Sequence, residues 1–383
     1  MRTIYFDYNA TTPLDPRARQ AMLPFLGEIF GNPSSVHHVG RQARALLDEL
    51  RDRTAQAFHC KPSEVVFTSG GTESNNMAIF GTARLLSDKG RHLITSTIEH
   101  DAALHAFDYL ERKEGFEVTR LRVDSLGRID PDDLIASIRH DTVLVSVQAV
   151  NNEIGTIQPI AELGRLCRER GVIFHTDAVQ WFGKLPFTDI HQFQADLVSV
   201  CAHKFHGPKG AGTLFIRSPL QPDPILFGGG HENERRAGTE NVAAIAGMVE
   251  SFQKCVLTPC FDSVHLRPLS ERLVRAVEEL EPSGVVLRSP QEGVLSNTVS
   301  FTVEGTDSMN LLAALDLEGI CASSGSACSA GSIEPSHVIL ALGAGAAAAS
   351  ALVRFSLGRE NTLAEVEEVC RLLPQLLHRA QTA

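Results

Sequence analysis

The chain has 383 residues, of which 43% are hydrophobic and 21% charged, a composition typical of a soluble globular protein large enough for more than one domain. Its formal net charge of −11, without a long basic run, argues against nucleic acid or an anionic membrane as the main partner. No apolar signal segment precedes Asp7 and the eight cysteines form no Cys-x-x-Cys pair, so we expect a cytoplasmic protein without disulfides.

Short β-rich runs alternate with helical patterns between residues 65 and 200. Strands are predicted at 65–68, 92–97, 116–123, 142–148, 172–176 and 196–200. Helices are predicted between them at 73–86, 101–114, 131–139 and 160–170. Asp130 and Pro131 mark the start of the third helix, and Gly171 marks the end of the fourth. This β-α-β rhythm predicts a mostly parallel sheet with helices on both faces.

The pattern changes after the three glycines at 228–230. Helices are predicted at 241–254, 263–279, 308–316 and 363–379, and strands at 296–303 and 353–357. This mixture predicts a second, α+β domain from about residue 250 onward. The uncharged stretch 339–353 is mostly alanine and glycine, too weakly apolar to span a membrane, and we expect a small-residue helix packed inside the protein.

Polar residues follow several of the predicted strands directly. Asp177 ends one strand, Lys204 follows another, and Asn152 and His100 come after two more. Ligands of open α/β sheets bind outside the carboxyl ends of the strands, so these distant segments are expected to meet in one crevice.

The turn at Gly70-Gly71-Thr72 joins a strand to a helix, where free amide groups attract an anion such as a phosphate. A lysine held after a buried strand is partly desolvated, which would make the Lys204 amine a nucleophile toward a carbonyl. Asp177 would need a cationic partner if buried, and a protonated pyridine nitrogen would serve. Each signal alone also fits a plain turn, a surface lysine or a capping aspartate.

Cys328 lies in a run of small residues, 322–332, that has little to bury. We expect a mobile surface loop that presents a thiol and transfers a sulfur atom. Together with the phosphate turn, the lysine, the buried acid and an aromatic ring stacker such as His100, these are the parts of a pyridoxal phosphate site with an added thiol.

The chain then resembles the cysteine desulfurases, of the branch that serves nitrogen fixation and iron–sulfur assembly. The matching motifs run nearly end to end: DYNATTP at 7–13, GNPSS at 31–35, TSGGTESNN at 68–76, IEH at 98–100, NNEIGT at 151–156, HTDAVQ at 175–180, HKFHGPKG at 203–210, RAGTEN at 236–241, GSAC at 325–328 and SHV at 336–338.

The resemblance implies the fold of the fold-type-I transferases that depend on pyridoxal 5'-phosphate (PLP). It implies a large domain at 14–249, built on a mostly parallel seven-stranded sheet flanked by helices. Residues 1–13 and 250–383 would form a smaller α+β domain that carries the Cys328 loop.

The resemblance also implies the roles of individual residues. Lys204 would hold PLP covalently and move the substrate Cα proton, His100 would stack on the ring and assist proton transfers, and Asp177 would pair with the ring nitrogen. Further cofactor contacts are implied for Gly71, Thr72, Asn152, Gln180, Cys201, His203 and, from a neighbouring subunit, Thr239. The substrate would be held by Arg354, which would clamp its carboxylate, with Asn32 and Asn152 nearby.

The implied activity is the removal of sulfur from L-cysteine, which leaves alanine and a persulfide on Cys328. The working form would be a homodimer, and the sulfur acceptor a scaffold protein for iron–sulfur clusters. Cys328 could ligate a shared cluster transiently, and no other metal site is expected. Alternatives are a selenocysteine lyase or another fold-type-I PLP lyase, a catalytically silent relative that acts as a binding partner and, last, a metalloprotein, since the histidine and cysteine spacings match no familiar zinc site.

Two departures from the family pattern stand out. Cys201 occupies a position where the family usually has serine, and a thiol is the weaker hydrogen-bond donor, so one phosphate contact should be weaker. The alanine-rich segment 343–351 is less polar than in related proteins, and we expect it close to the Cys328 loop and the subunit surface.

Overall fold

The computed structural model describes residues 3–325 and 334–382. The strands are β1 Ile4–Tyr5, β2 Val65–Thr68, β3 His92–Ser96, β4 Glu117–Leu121, β5 Thr142–Ser146, β6 Ile173–Asp177, β7 Leu197–Cys201, β8 Gly212–Ile216, β9 Val285–Leu287, β10 Thr298–Val303, β11 Ile320–Cys321 and β12 Leu352–Ser356. The helices are α1 Pro16–Met22, α2 His38–Phe58, α3 Gly71–Leu85, α4 Asp101–Glu114, α5 Pro131–Ser137, α6 Ile160–Glu169, α7 Val242–Cys255, α8 Ser263–Glu278, α9 Ser308–Leu317, α10 His337–Ala341, α11 Ala346–Ser350 and α12 Leu363–Thr382.

A seven-stranded sheet organises the first two thirds of the chain, in the order β2-β8-β7-β6-β5-β3-β4. Only β8 runs antiparallel to its two neighbours in this sheet, which confirms the predicted mostly parallel arrangement. Apart from the partly exposed edge strand β4, its strands are almost entirely buried because helices cover the sheet, and the fold is the predicted α/β class.

A second core surrounds the antiparallel sheet β12-β10-β9 and the helices α8, α9 and α12. The N-terminal residues Ile4, Phe6 and Tyr8 are buried in the same core, where β1 pairs in parallel with β11. This core contains apolar residues from both ends of the chain, although the domain boundaries at residues 13 and 250 stay a prediction.

Local signals explain the element boundaries that the sequence predicted well. Asp130 caps α5 by accepting a hydrogen bond from the Asp132 amide, and Pro131 occupies the first turn. Gly171 follows α6 with φ of +68°, a conformation that favours glycine.

The expected helix over 339–353 is wrong. The chain forms the two short helices α10 and α11, separated by Gly343 with φ of +85° and by Gly345, and then enters β12. Glycine costs helix stability and permits the left-handed turn, so the helix breaks there, and residues 345–347 are exposed rather than packed inside. Across residues 3–325 and 334–382, no helix combines the length and apolar character needed to cross a bilayer.

Candidate active site

A cavity of about 190 Å³ lies at the carboxyl edge of the seven-stranded sheet. It is lined by Asn9, Ala10, Gly71, Thr72, Asn75, His100, Gln148, Val150, Asn152, Asp177, Val179, Gln180, Cys201, His203, Lys204, Gly325 and Arg354. The connections that follow β3, β5, β6 and β7 therefore meet at one place, as expected for an open α/β sheet.

Lys204 ends a short 3₁₀ turn that directly follows β7. Its half-buried Nζ donates hydrogen bonds to the backbone oxygens of Asn9 and Ala10, each at 2.8 Å. The N-terminal segment thus crosses the sheet edge and holds the amine in the cavity.

Asp177 is the last residue of β6, and only 7% of its surface is exposed. Its carboxylate accepts hydrogen bonds from Asn75 Nδ2 at 2.6 Å and from the Val179 amide at 2.9 Å. Both donors are neutral, so the negative charge at the cavity wall is suited to a cationic ligand atom. The Asn75 Oδ1 atom is buried and has no hydrogen-bond partner among the described residues.

Glu99, one residue before the cavity-lining His100, is a second buried carboxyl group near Asp177. Its oxygens accept hydrogen bonds from Ser96 Oγ at 2.5 Å and from the Gln148 amide at 2.8 Å. Burial raises the pKa of Glu99 to about 8, and the negative charge of Asp177 contributes to the increase. At neutral pH Glu99 therefore mostly keeps its proton and adds little repulsion to the Asp177 carboxylate.

Two histidines, His100 and His203, line the cavity. His100 caps α4, and its Nδ1 accepts a hydrogen bond from the Ala102 amide at 3.0 Å, so Nδ1 carries no proton. Burial, with the charge of Lys204, lowers the pKa of His203 to about 3. His203 is therefore uncharged at neutral pH, and its Nδ1 lies 3.1 Å from Thr11 Oγ1.

The start of α3 provides a backbone cradle for an anion. Gly70 adopts φ of +153° and ψ of −173°, which side-chain-bearing residues rarely adopt, and a Cβ on Gly71 would lie 2.8 Å from Val179 Cγ2. The first amides of this 15-residue helix are free of intrahelical partners and carry the positive end of its dipole. The buried Cys201 thiol lies beside this turn, with its Sγ 3.7 Å from where a Cβ on Gly70 would lie.

Arg354 in β12 brings a buried cation to the wall of the cavity. Its Nη1 donates to Asn152 O at 2.7 Å and to Gly325 O at 3.1 Å, and its Nη2 lies 3.0 Å from Asp7 Oδ1. Nε is buried and has no hydrogen-bond partner among the described residues. A buried guanidinium with an unused donor is suited to a planar carboxylate ligand.

Ten of the residues predicted to act in the site therefore lie around one cavity: Gly71, Thr72, His100, Asn152, Asp177, Gln180, Cys201, His203, Lys204 and Arg354. Asn32 and Thr239 are exposed and do not line the cavity. Cys328 lies outside the described residues.

Sequence reasoning missed two residues that organise the site, Asn9 and Lys184. Asn9 is 1% exposed, and its backbone oxygen accepts from both Lys204 Nζ and Gln180 Nε2. Lys184 is 4% exposed and donates to the side chains of Asn9 and Gln180. The rule that site residues directly follow predicted strands could not identify Asn9 or Lys184, because their importance arises from contacts between distant parts of the chain.

Comparisons with known proteins agree with this geometry. Residues 4–369 match the aminotransferase class-V family model. A cysteine desulfurase named IscS from Dictyoglomus turgidum is 45% identical over 381 residues, covering 100% of this chain and 96% of the relative.

Two solved structures extend the likeness to the fold. A NifS-like protein has a TM-score of 0.90 and 34% identity, covering 98% of this chain and 100% of its own. A second structure, of SspA in complex with cysteine, has a TM-score of 0.80 and 33% identity, covering 94% of this chain and 100% of its own.

Proposed function

The chain belongs to the aminotransferase class-V family, and from this membership we propose that it is an L-cysteine desulfurase that uses PLP to convert L-cysteine into L-alanine and a persulfide on Cys328. The observation that carries the proposal is the meeting of Lys204, Asp177 and Arg354 around one cavity. Full-length similarity to a protein named cysteine desulfurase supports the same reaction.

The residues around the cavity fit PLP in three respects. The amide-rich start of α3 suits its phosphate, Asp177 suits a protonated ring nitrogen, and Lys204 is an amine within the same cavity. The unused Asn75 Oδ1 and Arg354 Nε atoms are polar atoms whose burial would be costly without a ligand. We propose that Lys204 holds PLP covalently, with Gly71, Thr72, Cys201 and His203 around its phosphate.

When bound, PLP supplies an electron sink that stabilises negative charge at the Cα atom of an attached amino acid. Asp177 would strengthen this effect by keeping the ring nitrogen protonated. Lys204, whose amine is already oriented by the Asn9 and Ala10 oxygens, would move the Cα proton. His100 would lie against the ring and, because its Nδ1 acts as an acceptor, would assist proton transfers through the proton on Nε2.

Substrate orientation would fall to Arg354. Its Nε and one Nη group would bind the L-cysteine carboxylate as a bidentate pair, while Asp7 keeps the guanidinium in place. Burial raises the pKa of Asp7, and the positive charge of Arg354 opposes this increase, so the two groups stabilise each other's charged forms. Asn152 would lie beside both the cofactor and the substrate.

Cys328 would then take the sulfur. Its thiolate forms a bond to the substrate sulfur while the bond from that sulfur to Cβ breaks, and Cβ receives a proton to give alanine. Covalent geometry supports this role, because Gly325 lines the cavity and three residues span at most about 11 Å. The persulfide would pass to an acceptor, for which the resemblance favours an iron–sulfur scaffold protein, with Cys328 as a transient cluster ligand.

We also propose a homodimer in which Thr239 reaches the phosphate site of the other subunit. Large apolar side chains close to Asn32 in sequence are exposed, with Phe30 77% and Val36 87% exposed. Phe227, in a separate segment, is 84% exposed. Apolar exposure of this extent is typical of an interface with another protein. Association of two copies would bring exposed residues such as Thr239 and Asn32 toward a cavity.

The direct test is incubation of the protein with PLP, L-cysteine and a thiol reductant. Alanine and sulfide are expected in equal amounts and over many turnovers, because each transferred sulfur atom leaves one alanine. Chromatography of the amino acids and a colorimetric sulfide assay would measure both products. Release of pyruvate and ammonia in place of alanine would contradict the proposal and indicate another PLP lyase.

A Cys201→Ser variant is expected to bind PLP about fivefold more tightly, since a hydroxyl is a better donor than a thiol and one hydrogen bond contributes about 1 kcal/mol. Burial raises the pKa of the Cys201 thiol, so the wild-type group is neutral and not an anion that would repel phosphate. Loss of PLP during dialysis would be followed by absorbance, with Cys60→Ser as the control for a thiol distant from the cavity. Equal or faster loss from Cys201→Ser would contradict the prediction.

A further inference from the structure

Lys184 is a buried lysine directly behind the wall of the cavity. It follows Gly183 in the segment after β6, and 4% of its surface is exposed. Its Nζ donates to Asn9 Oδ1 at 2.7 Å and to Gln180 Oε1, and it lies 5.3 Å from the centre of the Phe261 ring. Lysine is almost never fully buried unless it is paired, so its place here calls for a reason.

The contact of Nζ with Gln180 Oε1 orients the Gln180 amide, whereas the Asn9 amide is also held by Asn297 Nδ2 and Thr298 Oγ1. A protonated lysine nitrogen donates hydrogen bonds and accepts none, so the oxygen of the Gln180 amide faces Nζ and its NH₂ group does not. With its oxygen so held, Gln180 directs Nε2 to the backbone oxygen of Asn9 at 2.9 Å. Lys204 Nζ donates to this same oxygen at 2.8 Å, so the Gln180 NH₂ group lies beside the Lys204 amine.

The electrostatic surroundings make Lys184 costly to keep. Burial lowers its pKa well below the ordinary value for lysine, and the positive charges of Lys204 and Arg354 lower it further, against smaller opposite effects of Cys260 and Asp7. An apolar side chain of similar length would avoid this cost. The contacts to two amide oxygens are what such a side chain could not provide.

We propose that Lys184 is a positioning residue of the cofactor site, which holds the Gln180 amide with its nitrogen toward the cavity so that it donates to the phenolic oxygen of PLP. The inference rests on the proposed function, since it requires PLP on Lys204. Without Lys184, the amide can rotate by half a turn and direct its own oxygen at the anionic oxygen of the cofactor.

A Lys184→Met variant tests the role, because methionine keeps an unbranched side chain but donates no hydrogen bond. The absorbance of PLP joined to a lysine changes when the linking nitrogen loses its proton, and a donor to the neighbouring oxygen favours that loss. In the variant, the pH at the midpoint of this absorbance change is therefore expected to rise by about one unit, and PLP binding is expected to weaken about tenfold. A Lys89→Met control, at an exposed turn position, is expected to match wild type in both measurements.

A double-mutant cycle distinguishes positioning from general destabilisation. In a Gln180→Leu background the amide is absent, so Lys184→Met is expected to cause no further shift of the midpoint. A wild-type midpoint in Lys184→Met, or the same shift in both backgrounds, would overturn the inference even if the melting temperature falls.

If Lys184→Met does not fold, Lys184→Gln takes its place, and a wild-type midpoint in that variant would equally overturn the inference. A wild-type protein that binds no PLP would instead overturn the proposed function, and this inference with it.

Discussion

Replacement of Lys204 by alanine is expected to reduce alanine formation from L-cysteine by about 10³-fold or more. Proton transfer by a positioned side chain contributes about 10²- to 10⁴-fold to rate, and the same amine would carry the covalent link to PLP. In the structure the Lys204 amine is held by the oxygens of Asn9 and Ala10 within the cavity, next to the Gln180 amide. No second cavity-lining lysine is present among the described residues to replace it.

Two measurements check this expectation independently. Borohydride reduction followed by peptide mass spectrometry should attach the cofactor to the peptide that contains Lys204 in wild type, and should attach nothing there in Lys204→Ala. Product assays under turnover conditions give the rate. Lys254→Ala, at an exposed position in α7, is the matched control and is expected to behave as wild type in both measurements.

Loss of folding must be separated from loss of chemistry, because Lys204 also anchors the N-terminal segment across the sheet edge. Circular dichroism and the melting temperature of the variant answer this point. A folded Lys204→Ala protein that still forms alanine at the wild-type rate would refute the assignment of the amine and, with it, the proposed use of PLP.

The strand ends were the part of the site that sequence reasoning located best. The rule that ligands bind beyond the carboxyl ends of parallel strands brought His100, Asn152, Asp177 and Lys204 together, and all four line the cavity. Helix boundaries with local capping signals were also predicted well, as for α4, which the sequence placed at 101–114. In both cases the information lies within a few residues of the feature.

Features that depend on contacts between distant segments escaped prediction. Strand β8, which was not predicted, pairs antiparallel with both β2 and β7. Its residues Gly212–Ile216 do not alternate between polar and apolar side chains, so the sequence does not distinguish the strand from an apolar segment between loops. Helix α2 was also missed, although Ala43, Leu47 and Leu50 have helical spacing and are buried.

Among the residues of the site, too, those that depend on contacts between distant segments were not predicted from local sequence signals. The role of Arg354 was predicted only from the family resemblance, because nothing in its strand indicates that the buried guanidinium faces the cavity. Arg354 is more than 100 residues from Asp177 and Lys204 in sequence. Lys184 gave no signal either, since its two amide partners, Asn9 and Gln180, converge only when the N-terminal segment crosses the sheet. For Asn32 and Thr239, which are exposed, the predicted roles require a second subunit and stay predictions.

Replacement of Cys328 by alanine is expected to abolish sulfur transfer while leaving cofactor and substrate binding intact. Removal of a catalytic nucleophile costs about 10³-fold or more in rate, and no other step in the proposed reaction requires this thiol. L-cysteine should therefore still change the absorbance of the bound cofactor in Cys328→Ala, whereas alanine formation should fall to background. Cys321→Ala, seven residues earlier in β11, is the matched control and is expected to keep wild-type activity.

Selenocysteine makes this variant a test between two reactions. The carbon–selenium bond breaks more readily than the carbon–sulfur bond, so cleavage of selenocysteine need not depend on attack by a protein thiol. A desulfurase is expected to lose activity toward L-cysteine in Cys328→Ala and to keep a larger share of its activity toward selenocysteine. If the variant released alanine from both substrates at wild-type rates, the thiol would have no part in the chemistry, and a lyase that releases the chalcogen as the element, with alanine as the other product, would replace the persulfide mechanism.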